Sequence, residues 1–74
     1  MEITFKRKGR RIQTECMEAL AEHGIPCKLD NCLRVIAKTE DNLWHVCECW
    51  RRSSNSFDEF VVDIDTDKRF AIRG

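Results

Sequence analysis

Leu43-Trp44-His45-Val46-Cys47-Glu48-Cys49-Trp50-Arg51 alternates two chemically different sets of side chains. Leu43, His45, Cys47 and Cys49 fall on one side of an extended chain and Trp44, Val46, Glu48 and Trp50 on the other, because successive side chains of a strand point to opposite faces. The spacing predicts the central strand of a sheet. The first set is uncharged and carries cysteine, a residue type commonly buried when reduced, so it is expected against the protein interior with the tryptophans on the opposite face. The reverse register, with Trp44 and Val46 in the core and Trp50 over the sheet edge, is the alternative that the pattern leaves open.

Working outward, Thr39-Glu40-Asp41-Asn42 is rich in turn formers and short enough for a hairpin, which makes the preceding stretch, with Leu33, Val35 and Ala37 alternating against Arg34, Ile36 and Lys38, an antiparallel neighbour. Cys27 to Asn31 reads as a connection. Downstream, Arg52-Ser53-Ser54-Asn55-Ser56 reads as a flexible polar loop. Phe60, Val62 and Ile64 then alternate with Glu59, Val61 and Asp63, and a turn at Asp65-Thr66-Asp67-Lys68 leads to a last strand carrying Phe70 and Ile72. At the other end Met1, Ile3 and Phe5 alternate with Glu2, Thr4 and Lys6.

Between about Arg10 and His23 the period changes, and Ile12, Cys16, Ala19, Leu20 and His23 recur at three- and four-residue steps, the pattern of an amphipathic helix. Gly24 suits the left-handed position after its last turn, and Pro26 cannot continue it. The order β-α-β-β-β-β predicts an α+β fold, a single helix packed on a four- to five-stranded, mainly antiparallel sheet, with residues 1–74 forming one compact domain. A helix of about fourteen residues is about 21 Å long and about 10 Å wide, against a sheet about 20 Å across. One helix cannot cover such a sheet, and the far face, on which Ile36, Phe57 and Val61 fall, is expected to be open and partly apolar.

The chain has 74 residues, 42% hydrophobic and 35% charged, with thirteen basic and thirteen acidic residues. At this size only about 60% of the unfolded surface is buried on folding, so a well-filled core or a partner surface is needed for ordinary stability. No apolar run approaches the ~20 residues of a membrane span and the first residues lack a signal-peptide core, so a cytoplasmic protein without membrane association is expected. The five cysteines, Cys16, Cys27, Cys32, Cys47 and Cys49, are odd in number and read as reduced thiols.

His45-x-Cys47-x-Cys49 has the residue types of a zinc site but not the geometry. Alternate strand residues lie about 6.6 Å apart, whereas sulfurs on one zinc lie about 3.8 Å apart. Cys27 and Cys32 have loop-compatible spacing but need two further ligands, so no metal is expected. Asp63, Asp65 and Asp67 are spaced like the start of a calcium loop, yet Lys68 and Gly74 stand where its glycine and glutamate belong. No nucleophile elbow, Walker loop or dinucleotide fingerprint is present; no catalytic residue and no cofactor is expected.

Charge is unevenly spread. Residues 1–11 hold five basic and one acidic residue, while 57–67 hold Asp58, Glu59, Asp63, Asp65 and Asp67. The two ends are expected to attract each other, within one molecule or between two. Lys6, Arg7, Lys8, Arg10 and Arg11 lie at the helix start, where positive charge opposes the macrodipole and no capping side chain is visible. They form a candidate phosphate contact, although a dedicated nucleic-acid binder is usually basic overall.

Trp44-His45-Val46 followed by Phe60-Val61-Val62-Asp63-Ile64-Asp65-Thr66-Asp67-Lys68 resembles the strand pattern of PepSY-type inhibitory domains over less than half the chain. Those domains carry glycine in the final turn, where Asp67-Lys68 stands, and no membership is assigned. Tryptophan and arginine are the residue types enriched at interface hot spots. The chain is therefore expected to be a non-catalytic binding protein, contacting another protein or a second copy of itself through Trp44, Trp50, Arg51, Arg52, Phe57 and Val61. By analogy it suits a phage- or plasmid-type accessory inhibitor or modulator. The alternative is a nucleic-acid or phosphate-binding module using the run from Lys6 to Arg11.

Overall fold

The computed structural model describes residues 1–6, 11–54 and 57–73, and of residues 53, 54, 57 and 58 the backbone alone. Strand β1 (Glu2–Lys6) is followed by helix α1 (Ile12–Glu22), then β2 (Cys27–Leu29), β3 (Val35–Lys38), β4 (Leu43–Ser54), β5 (Phe57–Ile64), a 3-10 turn (Lys68–Phe70) and β6 (Ile72–Arg73). The sheet has six strands in the order β1-β5-β4-β3-β2, with β6 paired to β4, and each of these pairings is antiparallel. The expected helix-on-sheet α+β architecture is present. One short strand exceeds the expected order, β2, which the sequence pattern leaves as a connection because three residues are too few to show a period. The expected last strand is present as β6 and holds Ile72, but Phe70 ends the 3-10 turn before it.

The polar stretch expected to be a loop from Arg52 onward is strand as far as Ser54, because β5 pairs with β4 residue for residue from Cys47↔Ile64 to Ser54↔Phe57. A two-strand ladder of that length overrides the weak β propensity of serine. β4 is long enough to have different neighbours along its length. Its first part pairs with β3, at Lys38↔Trp44, Ala37↔His45 and Ile36↔Val46, and its later part with β5. The chain accordingly spans 40 × 21 × 20 Å.

Helix α1 starts at Arg11, whose backbone is extended and whose side chain makes no cap hydrogen bond. It stops as its sequence dictates. Gly24 adopts φ +74, the Gly24 N–H donates to the Ala21 carbonyl, and the Ile25 N–H donates to the Leu20 carbonyl, each at 2.9 Å. This is a Schellman ending, and Ile25 packs against the core cluster that holds Leu20. Cys16, Ala19 and Leu20 of the helix are buried, and Cys16 and Leu20 form one core cluster with Ile3, Val35, Ala37, Cys47, Val62 and Ile64. Each large aliphatic side chain so buried contributes about 1.5–3 kcal/mol relative to exposure. Phe5 stacks on Phe60 with ring centroids 5.6 Å apart.

β2–β3 and β3–β4 are joined by turns of the same design. In the first, the Asp30 N–H donates to the Arg34 carbonyl and the Leu33 N–H to the Asp30 carbonyl, at 2.9 and 3.0 Å. In the second, the Thr39 N–H donates to the Leu43 carbonyl and the Asn42 N–H to the Thr39 carbonyl, at 3.2 and 3.0 Å. Each loop ends on a left-handed residue, Leu33 (φ 61) or Asn42 (φ 64), the arrangement that usually places glycine there. The left-handed turn at Leu33 is why β3 begins at Val35 and not two residues earlier.

Among the described residues no helix is long and apolar enough to cross a membrane.

Candidate interaction surface

Of the two registers open to the central strand, the one with thiols inward is present. His45 and Cys47 are buried, 1% and 7% exposed, and Cys49 packs against the core beneath the helix. Trp44, Val46, Glu48 and Trp50 therefore lie on the face that α1 does not cover. The pairings carry this across the sheet: Ile36 is opposite Val46, Lys28 is opposite Ile36, Val61 is opposite both Trp50 and Thr4, and Ile72 is opposite Trp44.

The uncovered face is not a flat apolar plane. Ile36 is 3% exposed and Val61 0%, although no described helix or strand lies over them. Their covering falls to side chains on the same face, since opposite and diagonal neighbours on a sheet lie within reach of an aromatic ring. Trp44 and Trp50 are each half-buried, so part of each ring roofs the sheet and part faces solvent. Val61, fully buried, offers a partner no surface of its own.

Trp44 has the more developed surroundings. The Lys28 ammonium lies 4.6 Å from its ring centroid and that of Lys38 lies 6.0 Å away, both within cation–π reach. Ile72, beside it on β6, is 42% exposed. Three residues of this patch, Lys28, Lys38 and Ile72, are absent from the set expected from sequence. Lys38 had a signal, because a turn closed by Thr39 and Leu43 places Lys38 opposite Trp44. Lys28 did not, since its strand is too short to show a period; Ile72 falls on the expected last strand, but nothing in the pattern sets that strand beside Trp44.

The other expected contacts separate. Arg51 is on the helix face, where its guanidinium sits 5.1 Å over the Phe60 ring, because its odd number puts it in phase with Cys47 and Cys49. Arg52 is on the open face, exposed, and pairs with Glu59 at 3.4 Å. The Phe57 side chain lies outside the described residues. So do Arg7, Lys8 and Arg10; Lys6 and Arg11 are exposed, Lys6 at the end of β1 and Arg11 at the helix start. β1 runs along β5, so Lys6 of the basic stretch lies opposite Glu59 of the acidic one within one molecule.

On the helix face, His45 Nε2 lies 2.8 Å from Asp41 Oδ2, and its Nδ1 is buried without a hydrogen-bond partner. An ionised Asp41 accepts, so Nε2 donates to it. Asp41 also accepts from the Thr39 hydroxyl and from the Leu43 N–H. These bonds, the hydroxyl first, hold its carboxyl down at about 2. Asp30 is likewise lowered by the Arg34 N–H and guanidinium and the Cys32 N–H.

The thiols divide by environment. Burial lifts Cys47 to about 12 and also raises Cys27. Cys16, completely buried, is kept protonated by its hydrogen bond to Cys49 and by burial, and that same bond lowers Cys49. Cys32 is exposed in the β2–β3 turn. Among the described residues no three His, Cys, Asp or Glu side chains converge as a metal site would require.

The fold and this surface define a small α+β open-sheet protein with one helix. The chain matches no family model, no curated protein and no solved structure.

Proposed function

We propose that this chain is a non-catalytic binding protein that docks a larger protein on the uncovered sheet face, with Trp44 as the anchor. The observation that carries the reading is the setting of Trp44: a half-buried indole on a face no described element covers, with Lys28 and Lys38 over its ring and exposed Ile72 beside it. An aromatic centre with a cationic rim suits a partner that offers an apolar side chain ringed by carboxylates. A cytoplasmic accessory inhibitor or modulator is the class of protein such a surface fits, and that step is analogy.

The histidine argues in the same direction. A general base must come within hydrogen-bond reach of substrate, and His45 has one ring nitrogen engaged by Asp41 and the other enclosed in the core.

The test is capture of partners by full-length protein from its native host, comparing wild type with Trp44→Ala and with the pair Lys28→Glu, Lys38→Glu. The expected result is a partner lost with either variant and retained when salt is raised from about 0.05 to about 0.5 M. A partner indifferent to both variants, or released steeply by salt and carrying nucleic acid, would refute the reading and favour a phosphate contact.

A further inference from the structure

Two of the thiols, Cys16 and Cys49, meet across the seam between helix and sheet. Cys16 sits on the buried side of α1, completely enclosed, with its Sγ 3.8 Å from the Val61 carbonyl oxygen. The next residue, Val62, is the partner of Cys49 in the β4–β5 ladder, so the helix sets Cys16 over the stretch of sheet that carries Cys49. The two side chains are hydrogen-bonded to each other there. The other described thiols are engaged elsewhere. Cys47 donates to the His45 carbonyl at 3.7 Å and Cys27 to the Met17 carbonyl at 3.4 Å, and Cys32 is exposed in the β2–β3 turn. Cys47 and Cys49, alternate on one strand, stand about 6.6 Å apart, whereas the Cβ atoms of a disulfide lie about 3.8 Å apart.

The two members of the pair differ in what a reagent meets. Cys49 is half-buried and lines, with Ile12, Gln13, Val35 and Cys47, a cleft between the start of α1 and β4. The hydrogen bond from Cys16 favours the Cys49 thiolate, and the thiolate is the form that attacks an oxidant. Cys16 has no exposed surface and keeps its proton, so it reacts only with a group that Cys49 brings to it. An accessible, activated thiol beside a sheltered one is the arrangement of a peroxide-sensitive cysteine and its resolving partner. The cleft suits a small hydroperoxide, while a bulkier alkylating reagent meets the exposed Cys32 first.

We propose that Cys16 and Cys49 are a reversible dithiol–disulfide couple whose oxidant is a hydroperoxide, with Cys49 as the reacting thiol and Cys16 as the resolving one. With hydrogen peroxide, the Cys49 thiolate attacks one oxygen and the O–O bond breaks. The other oxygen leaves as hydroxide and takes a proton from solvent, which gives water and a sulfenic acid at Cys49. The Cys16 sulfur then attacks the Cys49 sulfur, the S–S bond forms, the S–O bond breaks, and hydroxide departs as water with the Cys16 proton. Two thiols and one peroxide become one disulfide and two waters; each sulfur gives up one electron and the peroxide takes both. The first step prepares the second. A neutral sulfenic acid does not hold the Cys16 proton as a thiolate does, so the largest cause keeping Cys16 protonated is removed. The bridge clamps α1 to β4, and a small thiol reverses it by exchange. It lies under the helix and leaves the Trp44 patch untouched, so it stands or falls separately from the binding reading above.

The test is treatment of the folded, full-length chain with equimolar hydrogen peroxide, followed by alkylation and peptide mapping by mass spectrometry without reductant. Wild type is expected to lose two hydrogens and to yield a linked Cys16–Cys49 peptide pair that dithiothreitol releases. Cys16→Ala is expected to stop at a Cys49 sulfenic acid, captured by dimedone, and Cys49→Ala to lose the bridge while Cys16 remains a thiol. Circular dichroism verifies that each variant is folded, and the wild-type map decides the matter where one is not. Peroxide that leaves Cys16 and Cys49 unlinked in wild type would overturn the proposal, whatever becomes of Cys32. So would a bridge mapped to another pair of cysteines, or a Cys16–Cys49 bridge that forms only in urea.

Discussion

The turns Asp30–Arg34 and Thr39–Leu43 share one hydrogen-bond design and differ in what occupies it. Asn42 fills the left-handed position of the second turn, which its short polar side chain tolerates. Leu33 fills the same position of the first turn, with its side chain 67% exposed. A leucine there costs about 1–2 kcal/mol of backbone strain and gains almost no burial. The supporting aspartates differ too: Asp41 bonds inward to the buried His45, whereas Asp30 bonds within an exposed turn, to the N–H groups of Cys32 and Arg34 and to the Arg34 guanidinium. The second turn is fastened to the core and built of suitable residues; the first is held by its own hydrogen bonds, with the Gln13 side-chain amide donating to the Leu33 carbonyl at 2.7 Å. One turn is structural. The other is a strained turn that leaves its leucine exposed.

The contrast breaks most visibly at Asp41. Asp41→Ala leaves His45 Nε2 buried without a partner, beside an Nδ1 that already lacks one, and the orphaned imidazole N–H is expected to cost about 1–3 kcal/mol, seen as a lower urea midpoint. Asp30→Ala, whose bonds are all solvent-exposed, is expected to lower the midpoint less. Equal losses would dissolve the distinction between the turns.

Leu33→Gly is expected to stabilise the protein by about 1 kcal/mol, raising the melting temperature by about 4–8 °C, whereas Asn42→Leu is expected to lose a similar amount. If Leu33→Gly destabilised instead, its side chain would be packing and not merely displayed.

Acid sharpens the same difference. Asp41 is held at about 2 against an ordinary 3.8, so the unfolded chain binds the proton first as pH falls. Its contribution is complete above the ordinary value and is lost as pH drops from about 4 toward about 2. Asp41→Asn is expected to flatten the pH dependence of the unfolding midpoint across that window. The smallest effect is chemical: Cys32, exposed in the strained turn, is expected to take up iodoacetamide first, and Cys47, held near 12 by burial, to react only on unfolding.

Most of the sheet was legible because its strands carry a clear period of two. Gly24 and Pro26 marked the helix end through backbone chemistry that no packing overrides. The alternation from Leu43 to Trp50 left two registers equal, and the helix decides between them by taking Cys16 and Leu20 against Cys47. What could not be read lies in β2, too short to be periodic, in the pairing of β6 with β4, and in Ser53 and Ser54, whose strand state comes from pairing with β5. The candidate surface suffered for the same reason. Trp44 and Trp50 were visible, but Lys28 reaches Trp44 only through the unread β2 and Ile72 only through a pairing of the last strand with β4 that no period announces, and Arg51 needed no more than its parity to be placed on the helix face.

The order of strands also sets a schedule. β2 through β5 are joined in sequence by hairpins, so each pairing closes a short loop. β1 instead pairs with β5, Ile3 opposite Val62, across nearly the whole chain. The entropy of closing so long a loop is recovered only after a template exists. The meander therefore assembles first and the N-terminal strand docks onto its outer edge last. Ile3→Val is then expected to quicken unfolding while leaving refolding almost unchanged, a φ-value near zero. A slowed refolding phase would place β1 in the nucleus instead.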